Sequence, residues 1–247
     1  GGGGDSTAAA VLALHVVWMA LEAASEALLP LWMLSPGGHG GLGFSALDTG
    51  VVLAVAVAAL AVPRYCSPAA VLRVTARSPV RSLRAATSLQ VIAATFLSGL
   101  ATSAWTWTAP LSRDATFAAV TFAAAGSRAA SAMLARPALG NLLSVALGHA
   151  GGAGAGDNDG GGYRRRRRSA DGALLAVTVG ASQAIGVLGM GVVFSRAVRA
   201  GADAGVVSFR LLAVAFVGVY LATLFVHASE GTRTARGGGG AGGAAAP

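Results

Sequence analysis

The sequence predicts an all-α polytopic membrane protein, a bundle of six transmembrane helices. Hydrophobic residues make up 54% of the chain and charged residues only 11%, whereas soluble domains carry about a quarter charged residues. Mean hydropathy is +0.65. Apolar runs near the ~20 residues that a membrane helix needs occur six times.

The first run, Ala8 to Leu34, carries two glutamates and leaves through Pro30-Leu31-Trp32. The second, Ala46 to Tyr65, is the weakest, but Ser45 and Asp48 form a Ser-x-x-Asp capping box just before it. Ala86 to Trp107 and Ala115 to Ala135 follow. After Pro137, the piece Ala138 to Leu147 is apolar but too short to span. It is either the kinked cytoplasmic end of span four or a helix at the interface. The fifth run, Ala173 to Ser195, has a small residue every fourth position (Gly172, Ala176, Gly180, Ala184), a pattern that allows close helix packing. The sixth is Val207 to His227. Transmembrane segments one to four thus fill 8–147, and five and six fill 173–228. Residues 1–7, 148–172 and 229–247 are Gly-, Ala- or Arg-rich without apolar periodicity and are expected to be disordered.

All 18 basic residues are arginine, and the formal charge is +8. Much of that charge is the run Arg164 to Arg168, with only Tyr163 beside it. No folded basic module surrounds it, so nucleic acid is excluded as a partner in favour of a solvated loop touching anionic membrane lipid. Thirteen arginines lie in connections on one side of the six spans and four on the other, with Arg128 inside span four. By the positive-inside rule both termini are cytoplasmic, and Trp32, Trp105 and Trp107 then fall at the outer interface. Which membrane this is, the residues do not say. No charged region with a cleavage site precedes the first span, and a start at Gly1 with Gly/Ala-rich ends reads as a piece of a longer protein.

Glu22 and Glu26 are the sharpest chemical feature. Spaced i, i+4, they share one helix face inside an apolar span. A carboxylate there normally faces a water-filled cavity or a partner. Two side by side at low dielectric cannot both ionise easily, so one is expected to hold a proton, the property a proton-coupled carrier needs. His15 falls on nearly the same face, roughly 10 Å from Glu22 along the axis. That is too far to share one metal ion, leaving a relay, a cavity-lining role or a satisfied bundle histidine. Arg128 calls for an acidic partner or an anionic substrate, unless span four is shifted and the side chain snorkels to the cytoplasmic side. Glu22, Glu26, Arg128 and His15 are therefore the candidate substrate- and proton-binding residues.

Other chemistries find no footing. Cys66 is the only cysteine, so neither an internal disulfide nor a cysteine metal cluster can form. Gly38 to Gly43 matches G-x-G-x-x-G, but it follows a membrane helix rather than a strand, so a tight extracellular turn is the better account. There is no G-x-S-x-G or H-E-x-x-H, and the chain reads as neither an enzyme nor a cofactor or metal protein.

Two motifs carry a family resemblance. Pro30-Leu31-Trp32 followed by Gly40-Gly41-Leu42-Gly43-Phe44-Ser45, Asp48 and Gly50 resembles the start of the C-terminal six-helix half of the major facilitator superfamily. The look is closest to the zinc-induced-facilitator-like branch. Ala184-Ile185-Gly186 with Gly191-Val192-Val193-Phe194-Ser195 resembles that family's eleventh helix, with Val187 where the family has proline. The connection between spans two and three, Pro63-Arg64-Tyr65-Cys66 and Arg77-Ser78-Pro79-Val80-Arg81, is basic but lacks the glycine of the usual gating motif. The resemblance implies half of a secondary transporter that works against an N-terminal six-helix half. Spans one and four would line its cavity. It implies proton-coupled efflux of small organic molecules, drugs or metal chelates. The competing reading is a non-transporting polytopic protein (a scaffold or receptor-like subunit) or the remnant of a truncated gene.

Overall fold

The computed structural model describes residues 3–66, 68–106, 112–152 and 161–237. Among them there is no strand, and eight α-helices carry nearly all of the chain: α1 (Gly3–Leu34), α2 (Ala46–Cys66), α3 (Pro68–Arg77), α4 (Pro79–Thr106), α5 (Arg113–Ala130), α6 (Arg136–Gly152), α7 (Gly161–Arg199) and α8 (Ala204–Gly237). A π turn, Ser131–Ala135, joins α5 to α6 without a break. Ala138 to Leu147 is therefore a continuation of the fourth apolar segment.

Among the described residues, five stretches are long and apolar enough to cross a membrane: Ala8–Leu34, Pro79–Thr102, Arg113–Val145, Ala176–Arg199 and Ala204–Phe225. The apolar part of α2, Ala46–Ala61, is shorter. The outside of the bundle is as apolar as its core. Phe122, Phe225, Leu188, Ile185 and Val214 all lie open, while Glu22, Gln90, Ser131 and Ser208 are buried. Polar side chains turned inward at mid-span, Glu22 among them, and bare aliphatic and aromatic side chains turned outward suit a lipid solvent. The chain is an integral membrane protein by this arrangement.

Helix boundaries follow local chemistry. Leu34 ends α1 because Pro36 disfavours the α conformation in the residue before it. The orphan carbonyls of the last turn then accept from the following loop: Leu42 N–H donates to Trp32 O (3.1 Å), Phe44 N–H to Met33 O (2.8 Å) and Gly43 N–H to Ser35 O (2.8 Å). That loop is tight. Gly40 and Gly43 have φ of 75° and 62°, and a Cβ at Gly40 would meet Asp203 Oδ1, the group that caps the N-terminus of α8 at Val206 N–H. Ser45 and Asp48 form the expected capping box, with Asp48 N–H donating to Ser45 Oγ at 3.1 Å and Ser45 N–H to Asp48 Oδ2 at 3.2 Å. Arg113 adds an exposed ion pair to Asp48 at 2.7 Å.

Helix packing follows a regular scheme. Number the apolar segments in order as α1, α2, α4, α5–α6, α7 and α8. The most extensive contacts then pair first with fifth, second with fourth, and third with sixth. Advancing every number by three returns the same three pairs. It also exchanges the contact of α1 on α8 with that of α4 on α5 and α6. The correspondence is incomplete: α7 packs on α8, but α2 and α4 make no comparable contact among the described residues.

Several expectations need correction. Trp32 is fully buried, not at a lipid interface: its ring packs edge-on to Phe209 (5.0 Å) and its Nε1–H donates to Gly40 O at 2.9 Å. Trp105 and Trp107 lie outside the described residues. The small-residue stripe of span five points outward, since Ala176, Gly180 and Ala184 are exposed. The close approach of α7 to α1 is two residues further on, where a Cβ on Gly186 would strike the Ala20 carbonyl oxygen. The arginines counted in connections all belong to helices, and two of them, Arg84 and Arg136, also engage partners on other helices. The Arg84 guanidinium donates to Thr223 Oγ1 and O of α8 at 3.2 and 3.1 Å, and Arg136 enters the site below. Without them the arginine bias keeps its direction.

The helices also reach into segments expected to lack structure: α1 begins at Gly3, α6 runs to Gly152, α7 begins at Gly161 and α8 runs to Gly237. Extending an existing helix needs no new nucleus, and arginine and alanine are good helix formers. Residues 153–160 and 238–247 lie outside the described residues.

Candidate functional site

Glu22 lies near the middle of the first membrane-spanning stretch and Arg128 near the middle of the one formed by α5 and α6. Antiparallel packing of α1 on α6 brings the two charged stretches face to face. Each glutamate meets its own arginine. Glu22 is 6% exposed; its Oε1 accepts from Ser131 Oγ at 2.5 Å and from Arg136 Nη2 at 3.0 Å, and Arg136 Nε lies 3.3 Å from both carboxylate oxygens. Glu26 Oε1 lies 3.6 Å from Arg128 Nη1, with side-chain exposures of 37% and 16%. Glu22 is thus held by short, charge-assisted hydrogen bonds, and Glu26 by an ion pair too long for one.

The two carboxylates were expected side by side without other ionic partners; instead each faces a guanidinium. Two guanidiniums stand against two carboxylates, so like-charge repulsion no longer dictates that either glutamate be neutral.

The π turn explains how one helix supplies both arginines. Eight residues at ~100° each carry a straight α-helix about 80° past two full turns, which would point Arg128 and Arg136 apart. A π turn absorbs one residue's twist, leaving the two within about 20° of each other. Its cause is in the sequence. Pro137 has no N–H to offer the Met133 carbonyl and its ring collides with that carbonyl, so the α register fails there. Arg136 N–H donates instead to Ser131 O, five residues back. The same turn therefore aims both Ser131 and Arg136 at Glu22.

An open cleft lies beside these pairs. Glu22, Ser25, Glu26, Ser127, Arg128 and Gln90 form its polar side, and Leu29, Leu97, Phe209, Leu212 and Phe216 its apolar side. Most of the neutral polar groups are already engaged. Gln90 Nε2 donates to Ser127 O (2.9 Å), Ser25 Oγ to Glu22 O (2.8 Å) and Ser127 Oγ to Ala124 O (3.0 Å). Phe209 and Phe216 are fixed by edge-on contacts with Trp32 and Trp18, at 5.0 and 5.5 Å between ring centres.

Of the residues predicted from sequence, the structure brings together Glu22, Glu26 and Arg128. It leaves His15 outside the cleft lining, within electrostatic reach of Glu22 and with Nδ1 buried and unpartnered. Sequence reasoning missed Arg136, Ser131 and Gln90. The signal for the first two was Pro137, whose effect on helix register was read only as a kink. Among the described residues no group of three His, Cys, Asp or Glu side chains is placed to hold a metal ion. Comparison with protein-family models, curated proteins and solved structures gives no match.

Proposed function

We propose that this chain is one six-helix half of a proton-driven secondary transporter of a small molecule, of the major facilitator kind, with both termini cytoplasmic. The observation that carries the reading is the mid-span cleft onto which the Glu26–Arg128 pair opens. Charged residues at that depth are costly and mark substrate or ion pathways. The helix pairing supports it, because a scheme unchanged on advancing by three is what two inverted three-helix repeats would produce. In this reading α2 is the sixth span, and a second six-helix unit faces the cleft.

The roles divide by geometry. Glu22, Ser131 and Arg136 make a closed group that holds α1 against the fourth span. Glu26 and Arg128 make the loose, half-open pair, and Glu26 is the carboxylate that takes and releases the driving proton. When it does, Arg128 loses its counter-charge and the pair breaks, which gives the cleft two states for alternating access to exploit.

The test is uptake or efflux in vesicles holding the transporter with its facing half, under an imposed pH gradient. Glu26→Gln should abolish gradient-driven transport. Glu22→Gln should lower the amount of folded protein more than the coupling. Full gradient-driven transport by both variants would end the proton-coupling claim and favour a non-transporting bundle in which the pairs only tie helices together.

A further inference from the structure

We propose that the cleft takes a zwitterion with an apolar body: a ligand carrying one ammonium and one carboxylate on a hydrocarbon or aromatic frame. This rests on the transporter reading for its biological meaning but not for its chemistry. Ser25, Ser127 and the Gln90 amide N–H already serve backbone carbonyls, and the Glu22 carboxylate is held by Ser131 and Arg136. Of the charged groups, the Glu26 carboxylate and the forked donors of Arg128 remain uncommitted, joined by a 3.6 Å contact that makes no hydrogen bond.

Charge balance then selects the ligand. The four ionic groups of the site sum to zero, two guanidiniums against two carboxylates. A ligand with net charge would leave one charge unmatched at mid-span, which is expensive. A zwitterion exchanges partners instead. Its carboxylate takes the bidentate fork of Arg128 and its ammonium takes Glu26, so every charge stays paired and the loose contact becomes two charge-assisted ones. The rest of the wall is apolar and preset, because Phe209 and Phe216 are locked edge-on by Trp32 and Trp18. The ligand's ammonium and a driving proton then compete for the same carboxylate.

The experiment is equilibrium binding to the full chain in lipid nanodiscs, read by titration calorimetry. The probes are the amino acids from alanine to tryptophan, with phenethylamine and 3-phenylpropanoate as the single-charge counterparts of phenylalanine. The expected result is saturable binding of the apolar amino acids, at least about ten-fold tighter than either single-charge analogue, a difference of about 1.4 kcal/mol. The variants give a readout that a purely structural pair would not move. Glu26→Gln leaves Arg128 unmatched and should switch preference to 3-phenylpropanoate, while Arg128→Gln should switch it to phenethylamine. Either variant alone suffices if the other does not fold. Equal binding of a single-charge analogue to the unaltered chain, no binding by any member of the series, or variants that keep the original ranking would each overturn the proposal. Because binding is read without translocation, its failure is separable from that of the transport reading. Glu26-dependent, gradient-driven movement of some other solute would keep the transporter and remove the zwitterion, and zwitterion binding without gradient-driven movement would do the reverse.

Discussion

Replacing Arg136 by Met tests whether Glu22 is held by that guanidinium. The two ends of the pair differ in burial: the Glu22 side chain is 7% exposed and that of Arg136 39%. Removing the arginine strands a carboxylate inside the bundle with one hydroxyl donor, Ser131, and breaking a buried pair from this side costs about 3–5 kcal/mol. Removing the other charge with Glu22→Gln costs much less. The amide can still accept from Ser131, and a long, partly exposed arginine can reach water or head groups, so about 1 kcal/mol is expected, the size of one ordinary hydrogen bond. The double variant should lie near Glu22→Gln, since no charge is then stranded. The cycle therefore predicts a coupling of roughly 3–5 kcal/mol between the sites. Unfolding of the purified chain in mixed micelles, titrated with a denaturing detergent and followed by Trp fluorescence, gives all four stabilities. If Arg136→Met is no more destabilising than Glu22→Gln, or if the two changes simply add, Arg136 is not what makes a buried Glu22 tolerable and the reasoning fails.

Further outcomes follow from the same geometry. Pro137→Ala restores an N–H for the Met133 carbonyl and lets the α register resume; Arg136 then swings by about 100°, and the Glu22–Arg136 coupling in the same cycle should fall below about 1 kcal/mol. A coupling left unchanged would show that proline does not set the turn. Gly186→Ala should cost about 3 kcal/mol, the upper end for overpacking, because its Cβ would strike the Ala20 carbonyl oxygen, whereas Gly180 has nothing within 4 Å and Gly180→Ala should be neutral or gain up to about 1 kcal/mol. Equal melting behaviour of the two would disprove the assigned α1–α7 contact. For topology, Gly38→Cys and Arg77→Cys, each in a Cys66→Ser background, should react with a membrane-impermeant thiol reagent from opposite sides in sealed vesicles. Labelling of both from one side would refute the span order.

Much of the architecture could be read from the chain, since apolar runs of membrane length announce themselves by composition. The capping box at Ser45 and Asp48 was legible too, because a local hydrogen-bond pattern needs only local sequence. Glu22, Glu26 and Arg128 stood out as charges in apolar surroundings. Arg136 did not, because it follows the apolar run and precedes a proline, which is how the end of a span reads. Its place depends on a change of helical register, and hydrophobic periodicity does not report register over a single turn. The stripe from Gly172 to Ala184 misled for the opposite reason. In a chain with 36 glycines small residues recur at every spacing, and only the backbone approach at Gly186 separates a packed face from a bare one. Trp32 shows a related ambiguity: depth along a helix is visible in sequence, but the direction a side chain faces at that depth is not.

The turn after α1 bears on how this protein can be labelled. Glycine-rich surface connections are the usual places to splice in an epitope or a fluorescent reporter, and Gly37 to Gly43 has that composition. Most of it is a joint. Gly40 abuts the cap of α8, a Cβ on Gly41 would strike Ser35, and one on Gly205 would strike the Trp32 indole. Only Gly37 and Gly38 are both exposed and clear of neighbours. A tag inserted between those two leaves the Trp32–Gly40 bond its best chance of survival. Moved two residues along, it would prise α1 from α8 and be mistaken for a failure of the cleft.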